Sequence, residues 1–307
     1  MYDDWRAGFV RRPLSEVALE GFGEADEIVW LPPCDKDFQY LADPFGIERD
    51  GVVTVFAEAY DYRTRRGDIR YFQFDGLSCV GRGVVLAEPF HLSYPSLIED
   101  GGQLYMLPEA HKSGTLTLYA CVEFPQRWEP VARLLDLPAI DATVTFRDGR
   151  WWMFYALPGP DDRAMRELHV AWADALTGPW RQHGANPVLT GFSRSRPGGS
   201  LFEHDGRLHL PVQDCDGGYG RAVRILRIDD LTVSTFAATP VRRHKPCGLA
   251  EGFTDGLHTL SGDAGLTFVD VKGLRSSPRE RWITGLYKMR RLFGLNGPRR
   301  ASAPRIV

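Results

Sequence analysis

The chain has 307 residues, 43% hydrophobic and 25% charged, enough to bury a full core without disulfide or metal staples. A net charge of −3 removes any general attraction to nucleic acid, and no nucleic-acid partner is expected. The five cysteines are odd in number and lack a CxxC pair, which argues against a disulfide framework or a zinc site.

In chain order, "MYDDWRAGFVRRPL" holds no apolar run of signal-peptide length, and no later run reaches transmembrane length. The expectation is a reduced, cytoplasmic protein. "DEIVWLPP" reads as an outer strand that closes a ring onto its last unit. From there a repeat begins. Turn glycines at Gly51, Gly102, Gly149, Gly206 and, more weakly, Gly256 recur at intervals of 51, 47, 57 and 50 residues. Each unit reads as a strand, an Asp-Gly-type hairpin turn and a second strand, such as "VVTVFAEA", "QLYMLPEA", "RWWMFYAL" and "RLHLPVQD". More β-like sequence follows each pair, and helical periodicity is nearly absent between residues 27 and 273. The predicted fold class is all-β: a five-bladed β-propeller over residues 1–273, followed by a basic tail over 274–307. An irregular β-sandwich is the alternative, but it needs no fixed interval.

The inner strand of a blade opens toward the central axis, so the repeat alignment itself nominates axial residues. Eight positions before the turn glycine stand Asp43, Tyr94, Asp141 and Gly198; seven after it stand Glu58, Glu109, Ala156, Gln213 and Asp263. Arg196 and His258 fall near blade mouths. Each has a plain structural reading as well. The aspartates can cap turns, Glu109 can pair with Lys112 or Arg63, Glu58 can belong to an exposed charged hairpin, and His258 can be a satisfied core histidine. Carboxyls converging from different blades would raise one another's pKa, so that one stays protonated while another stays ionised.

At these residues the sequence resembles the five-bladed propellers of the furanosidase superfamily, which includes arabinanases, xylosidases and invertases. "YLADPFGI" is similar to that group's blade-one segment, which implies that Asp43 is a general base or nucleophile. "IDATVTFRDGRWWMFYA" is similar to a later segment, which implies that Asp141 tunes the acid and contacts the sugar. "AWADALTGPWRQHGANPV" shares the group's Gly-Pro-Trp turn. The chain departs from the pattern at blade four. "SRSRPGGS" carries Arg194 and Arg196 where the group places its acidic Glu, leaving Glu109 as the substitute acid. An arginine there suits an anionic group.

A fuller likeness is to the N-terminal propeller of plant glucosamine inositolphosphorylceramide transferases and bacterial stand-alone relatives. It is carried by "DDWRAGFV", "WLPP…FQYLADPFG", "AEAYDYRTRRGDI", "YPSLIEDGGQLYMLPEA", "IDATVTFRDGRWWMFY" and "SRPGGSLFEHDGRLHLPVQDC…YG". In the plant proteins, sugar transfer is assigned to a separate C-terminal domain, so the resemblance leaves the propeller's own task open.

After Gly273 the composition turns basic, with nine Arg or Lys from Arg275 onward against Glu280. Over residues 279–293, Trp282, Ile283, Leu286, Met289 and Phe293 share one helical face, suited to an anionic membrane surface or to packing under the propeller. The final "GPRRASAPRIV" is expected to be disordered. The expected function is carbohydrate-active, either glycosyl transfer or hydrolysis. Asp43, Asp141 and Glu109 are the catalytic candidates, and Arg196, His258, Tyr94, Glu58 and Gln213 the substrate-binding ones. The ligand would be a sugar, nucleotide sugar or glycolipid, with no metal and no cofactor. The alternatives are a non-catalytic sugar-binding module and a protein-interaction scaffold. "PGGS" and "DGGYG" fit no nucleotide-binding fingerprint.

Overall fold

The computed structural model describes residues 1–292 except Cys247. Its strands form five separate antiparallel sheets arranged as a β-propeller. Blade one runs Gln39–Arg49, Val52–Asp61, Arg66–Asp75 and Ser78–Leu86. Blade two follows from Ser93–Asp100 to Arg127–Leu135, and blade three opens with Ile140–Arg147 and Arg150–Ala156. The inner strand of blade four is broken into Arg196–Pro197 and Phe202–His204, both paired with Arg207–Asp214.

The turn residues explain the repeat. Asp50-Gly51, Gly101-Gly102, Asp148-Gly149 and Asp205-Gly206 all have positive φ at both positions. This is the geometry a two-residue hairpin needs to match strand twist, and Gly and Asp tolerate it best. The fifth hairpin differs. Its turn lies between Leu260–Gly262 and Thr267–Arg275, so the Gly256 alignment was out of register. Asp263 consequently sits in that turn, where Oδ1 accepts the Gly265 and Leu266 N–H groups.

Ring closure uses more of the N-terminus than "DEIVWLPP" alone. Tyr2–Val10 pairs with Thr267–Arg275 over nine residues as the third strand of blade five, and Val29–Trp30 adds the outer strand. Nearly every residue of Tyr2–Val10 therefore bonds to the far end of the chain. Apolar residues fill each gap between blades, for example Phe56 with Trp128 between blades one and two. Phe9 and Phe268 meet Val53 and Phe72 between blades five and one. These interfaces leave the axis to polar groups.

The helix Pro278–Leu292 lies beside blade one. The Arg65 guanidinium sits 4.8 Å from the Tyr287 ring, and Arg279 lies 4.0 Å from Asp37. Ile283 is buried, whereas Trp282 is 68% and Met289 49% exposed, so the apolar face is only partly covered. These contacts set the helix against blade one and the segment that leads into it. Phe293 and "GPRRASAPRIV" lie outside the described residues. Among the described residues no helix is long and apolar enough to cross a membrane.

Candidate active site

One backbone device, used three times, aims side chains at the axis. Asp43, Tyr94 and Asp141 occupy the same repeat position and have φ of 49°, 47° and 49°. Each coincides with a break in strand register, between Ala42 and Phe45, Ser93 and Ser96, and Ile140 and Thr143. A bulge with one residue in the left-handed region turns that side chain out of the strand's alternation. Asp bears this conformation at low cost because its short side chain bonds locally.

The axial cavity measures about 230 Å³ and is lined by the carboxyls of Asp43, Glu58 and Glu109, by Arg196 and by His258. Tyr40, Tyr60, Tyr62, Tyr219 and His91 form its aromatic wall. The volume falls below the roughly 300 Å³ at which pockets for drug-sized ligands begin, which suits a single small polar ring.

Two acid clusters meet at this cavity. In the first, Arg196 Nε donates to Asp141 Oδ2 at 2.7 Å and its Nη2 lies 3.9 Å from Glu109. Gln213 Nε2 adds a bond to Asp141 at 2.9 Å. Arg196 draws the Asp141 and Glu109 carboxyls together, and the charge of each disfavours ionisation of the other. Burial alone would raise Glu109, but its hydrogen bond to His111 and the charges of His111 and Arg196 hold it at about 2. Burial pushes Asp141 well above the usual carboxylate range, against the pull of Arg196. Of the two carboxyls, Asp141 is therefore the one that favours its proton. Arg196 stays charged, held by Asp141, Tyr219 and Glu109 despite its burial.

In the second cluster, Asp43 Oδ1 accepts the Thr259 hydroxyl at 2.7 Å and lies 3.5 Å from His258 Nε2. His258 Nδ1 binds Asp270 at 2.7 Å, and Trp5 stacks on the imidazole at 3.9 Å. Burial would lower His258, but Asp270 and Asp43 more than offset it and raise the group. Burial raises Asp43 in turn, opposed by His258 and Thr259. Asp43, His258 and Asp270 also bring potential ligand atoms within 4.8 Å of one another, as a cation site would. The Asp270 oxygens already accept the backbone N–H groups of Asp43, His258 and Thr259 besides the imidazole. That donor set makes Asp270 an anchor for a hydrogen-bonded relay rather than an open metal ligand.

Several expected residues take other places. Tyr94 is fully buried, and its hydroxyl donates to the Gly199 carbonyl and accepts the Gly199 N–H. It ties blade two to blade four across the axis and does not line the cavity. Gln213 is likewise buried and serves Asp141. Arg196 is already matched by two carboxyls, which removes the expected free guanidinium for an anion. Glu109 pairs with His111, not with Lys112 or Arg63. Glu58 is 5% exposed and belongs to no surface ion-pair network. The repeat count does not reach Asp270, Thr259, Trp5 or His91, because Trp5, Thr259 and Asp270 belong to blade five, whose register it misses, and His91 precedes the inner strand of blade two.

A family profile described as "Glucosamine inositolphosphorylceramide transferase 1, N-terminal" matches residues 34–249. The glucosamine inositolphosphorylceramide transferase 1 of Oryza sativa subsp. indica is 34% identical over 246 residues, covering 74% of this chain and 33% of that protein. The Arabidopsis thaliana protein of the same name is 31% identical over 208 residues, covering 66% of this chain and 27% of its own length. The chain thus spans about a third of the length of these curated relatives. Among solved structures, the Podospora anserina α-L-arabinofuranosidase PaAbf62A superposes with a TM-score of 0.55 at 12% identity, covering 79% of this chain and 94% of that one. Zg3597, a family 117 glycoside hydrolase of Zobellia galactanivorans, gives 0.53 at 12% identity, covering 92% and 98%. At such identity the likeness is one of fold.

Proposed function

The chain belongs to the glucosamine inositolphosphorylceramide transferase 1 N-terminal family, and from that membership and the axial geometry we propose that the cavity processes a glycosyl unit. The protein is carbohydrate-active. The observation that carries the finer reading is the convergence of carboxyls from blades one and two on one small cavity, with Asp141 of blade three held behind Glu109 by Arg196. Asp43 is the base or nucleophile, positioned by Thr259 and His258. Asp141, the member that favours its proton, is the acid, and the ionised Glu109 beside it faces the cavity. Two carboxylic groups flanking an oxocarbenium-like centre are the general requirement for glycosyl chemistry. Asp43→Asn and Asp141→Asn are expected to cut turnover about 100-fold or more on nucleotide sugars or nitrophenyl glycosides while melting is unchanged. Full activity in both variants and in Glu109→Gln would overturn the catalytic reading.

One observation favours a binding module without turnover: a cation, Arg196, stands at the blade-four mouth where the fold's hydrolases place an acid. Sugar binding with no turnover on either substrate class would decide for that reading.

A glycolipid is the substrate class we favour. The Pro278–Leu292 helix lies against Arg65, in the hairpin turn that also carries Tyr62, and Tyr62 and nearby Tyr60 line the cavity. A membrane surface met by Trp282 and Met289 would lie beside the cavity mouth. Trp282→Ser is expected to lower co-sedimentation with anionic phosphatidylserine vesicles. Equal sedimentation of variant and wild type would remove the membrane contact.

A further inference from the structure

The ring closes at the seam between blade five and blade one, and there the packing leaves a second space. A cavity of about 260 Å³ opens at this seam, close in size to the axial one. Its walls are residues 4–7 of the closing strand, residues 31–34, residues 39–41 at the start of blade one, and Phe253. The two cavities adjoin. Tyr40 lines both, and Trp5 of the seam cavity stacks on His258 of the axial one with ring centroids 3.9 Å apart.

The two spaces differ in chemistry. In the axial cavity Asp43 and Glu109 are matched by His258 and Arg196. Glu58 is the unmatched carboxyl there. Its Oε1 makes no hydrogen bond, and burial lowers His91, 3.7 Å away, so no positive charge answers it. In the seam cavity the Asp4 carboxylate is already held by Arg275 at 3.1 Å, and the Arg275 guanidinium lies 4.8 Å from the Phe253 ring. The Arg6 guanidinium rests 4.8 Å from the Trp30 ring, whose face answers its charge. Gln39 Nε2 donates to Asp61 Oδ2 at 3.0 Å, which leaves the Gln39 carbonyl oxygen as an acceptor. Reacting acids crowd the axis, whereas the seam offers aromatic faces edged by uncharged or already matched groups.

We propose that the seam cavity is a second sugar subsite, so that the substrate is a glycan of at least two rings, one in the axial cavity and the next beyond Tyr40 in the seam. The proposal rests on the reading that the axial cavity holds a glycosyl unit. A pyranose ring has an apolar C–H face that suits Trp5, Tyr40 and Phe253, and a rim of hydroxyls that donate and accept. An acyl chain would cover Arg6 and Gln39 without bonding them, at the cost of burying polar groups unpaired.

The division of labour follows from the linings. Contacts to the second ring use none of the axial carboxyls, so they hold the first ring in place against Asp43 and take no part in proton transfer. Pro32 and Pro33 fix the backbone of the wall opposite Tyr40, so the subsite is formed before a ligand arrives and little ordering opposes binding. Truncating the substrate to one ring forfeits these contacts.

The test is titration calorimetry of the full chain with matched sugars of one and two rings: glucose and cellobiose, mannose and mannobiose, galactose and galactobiose, arabinose and arabinobiose. Hexyl glucoside serves as the apolar-tailed probe. At least one disaccharide is expected to bind about tenfold or more tighter than its monosaccharide. Phe253→Ala and Gln39→Ala are each expected to shrink that ratio to about threefold or less. Equal affinities within every pair would overturn the proposal and leave the glycosyl reading standing. Binding of none of these sugars would overturn both. Hexyl glucoside binding as tightly as the best disaccharide would assign the seam to an apolar tail and overturn the proposal. A ratio unchanged in the variants would place the second ring elsewhere and also overturn it. Phe253 lies in a loop and Gln39 at a strand start, so if one variant fails to fold the other decides.

Discussion

Asp43 and Asp141 share a repeat position, a φ of 49° and a strand bulge, yet they work in opposite surroundings. Asp141 faces a guanidinium and a second carboxyl, Glu109, that stays ionised beside it. Asp43 faces a hydroxyl and an imidazole whose far side is anchored by Asp270. The repeated backbone supplies direction only. The chemistry comes from what the neighbouring blades place opposite, Arg196 from blade four in one case and His258 from blade five in the other. A pseudo-symmetric ring can thereby make one acid site that depends on a permanent cation and another that depends on a titrating one.

The sharpest way to break this contrast is to remove the permanent cation. Arg196→Met leaves Glu109 with His111 and Asp141 with Gln213 but removes the permanent cation from both, and loss of one partner of a buried pair costs about 3–5 kcal/mol. Urea unfolding at neutral pH is expected to show a loss of that size. A much smaller loss would mean that a proton on Asp141 and the His111 contact of Glu109 already neutralise the pair.

The two clusters also predict opposite responses to pH. Glu109 is depressed in the folded state from 4.5 to about 2, so its stabilisation is present above 4.5 and is lost as pH falls through 2. His258 is raised above 6.5, so its stabilisation is present below 6.5 and is lost as pH rises through the raised value. The stability gap between wild type and Glu109→Gln should close in acid. The gap to His258→Gln should close in alkali. Gaps that stay constant across the range would show that these groups act by shape and not by charge.

The contrast also marks what sequence could reveal. The turn glycines and their Asp partners exposed the blades because hairpin geometry is local, and counting from them reached Asp43, Asp141, Glu58 and Glu109. Tyr94 came from the same count but proved to be a bolt between blades, since the count gives direction and not depth. His111, only two residues beyond Glu109, was overlooked because no strand periodicity places it. Blade five was misread because its hairpin lacks the two-residue turn and its third strand comes from residues 2–10, at the far end of the chain. Asp270, which anchors His258, fell in that unread blade.

A smaller effect tests the shared backbone itself. At Asp43, Asn keeps a residue that accepts positive φ, and stability should stay within about 0.5 kcal/mol of wild type while turnover falls. Ala at the same position adds left-handed strain of about 1–2 kcal/mol. Asp141→Ala should show the same strain relative to its own Asn variant, because φ is the same. A difference between the Asn and Ala variants that appears in only one blade would break the equivalence of the two bulges.

The least perturbing test concerns the carboxyl that belongs to neither cluster. Glu58 is raised well above its ordinary value by burial and by four other acids, so the folded state holds its proton more tightly than the unfolded chain does. A raised carboxyl stabilises at low pH and loses that contribution as pH rises through the folded value, the reverse of Glu109. Glu58→Gln keeps the shape without the charge. Below the ordinary value of 4.5 the substitution should be nearly neutral, and as pH rises from there to the folded value the variant should become progressively more stable than wild type. Thermal melts of both proteins from about pH 4 to 9 read this directly. A variant less stable than wild type at high pH would show that Glu58 has an ion-pair partner after all, and the division of the axial acids into matched and unmatched groups would fall.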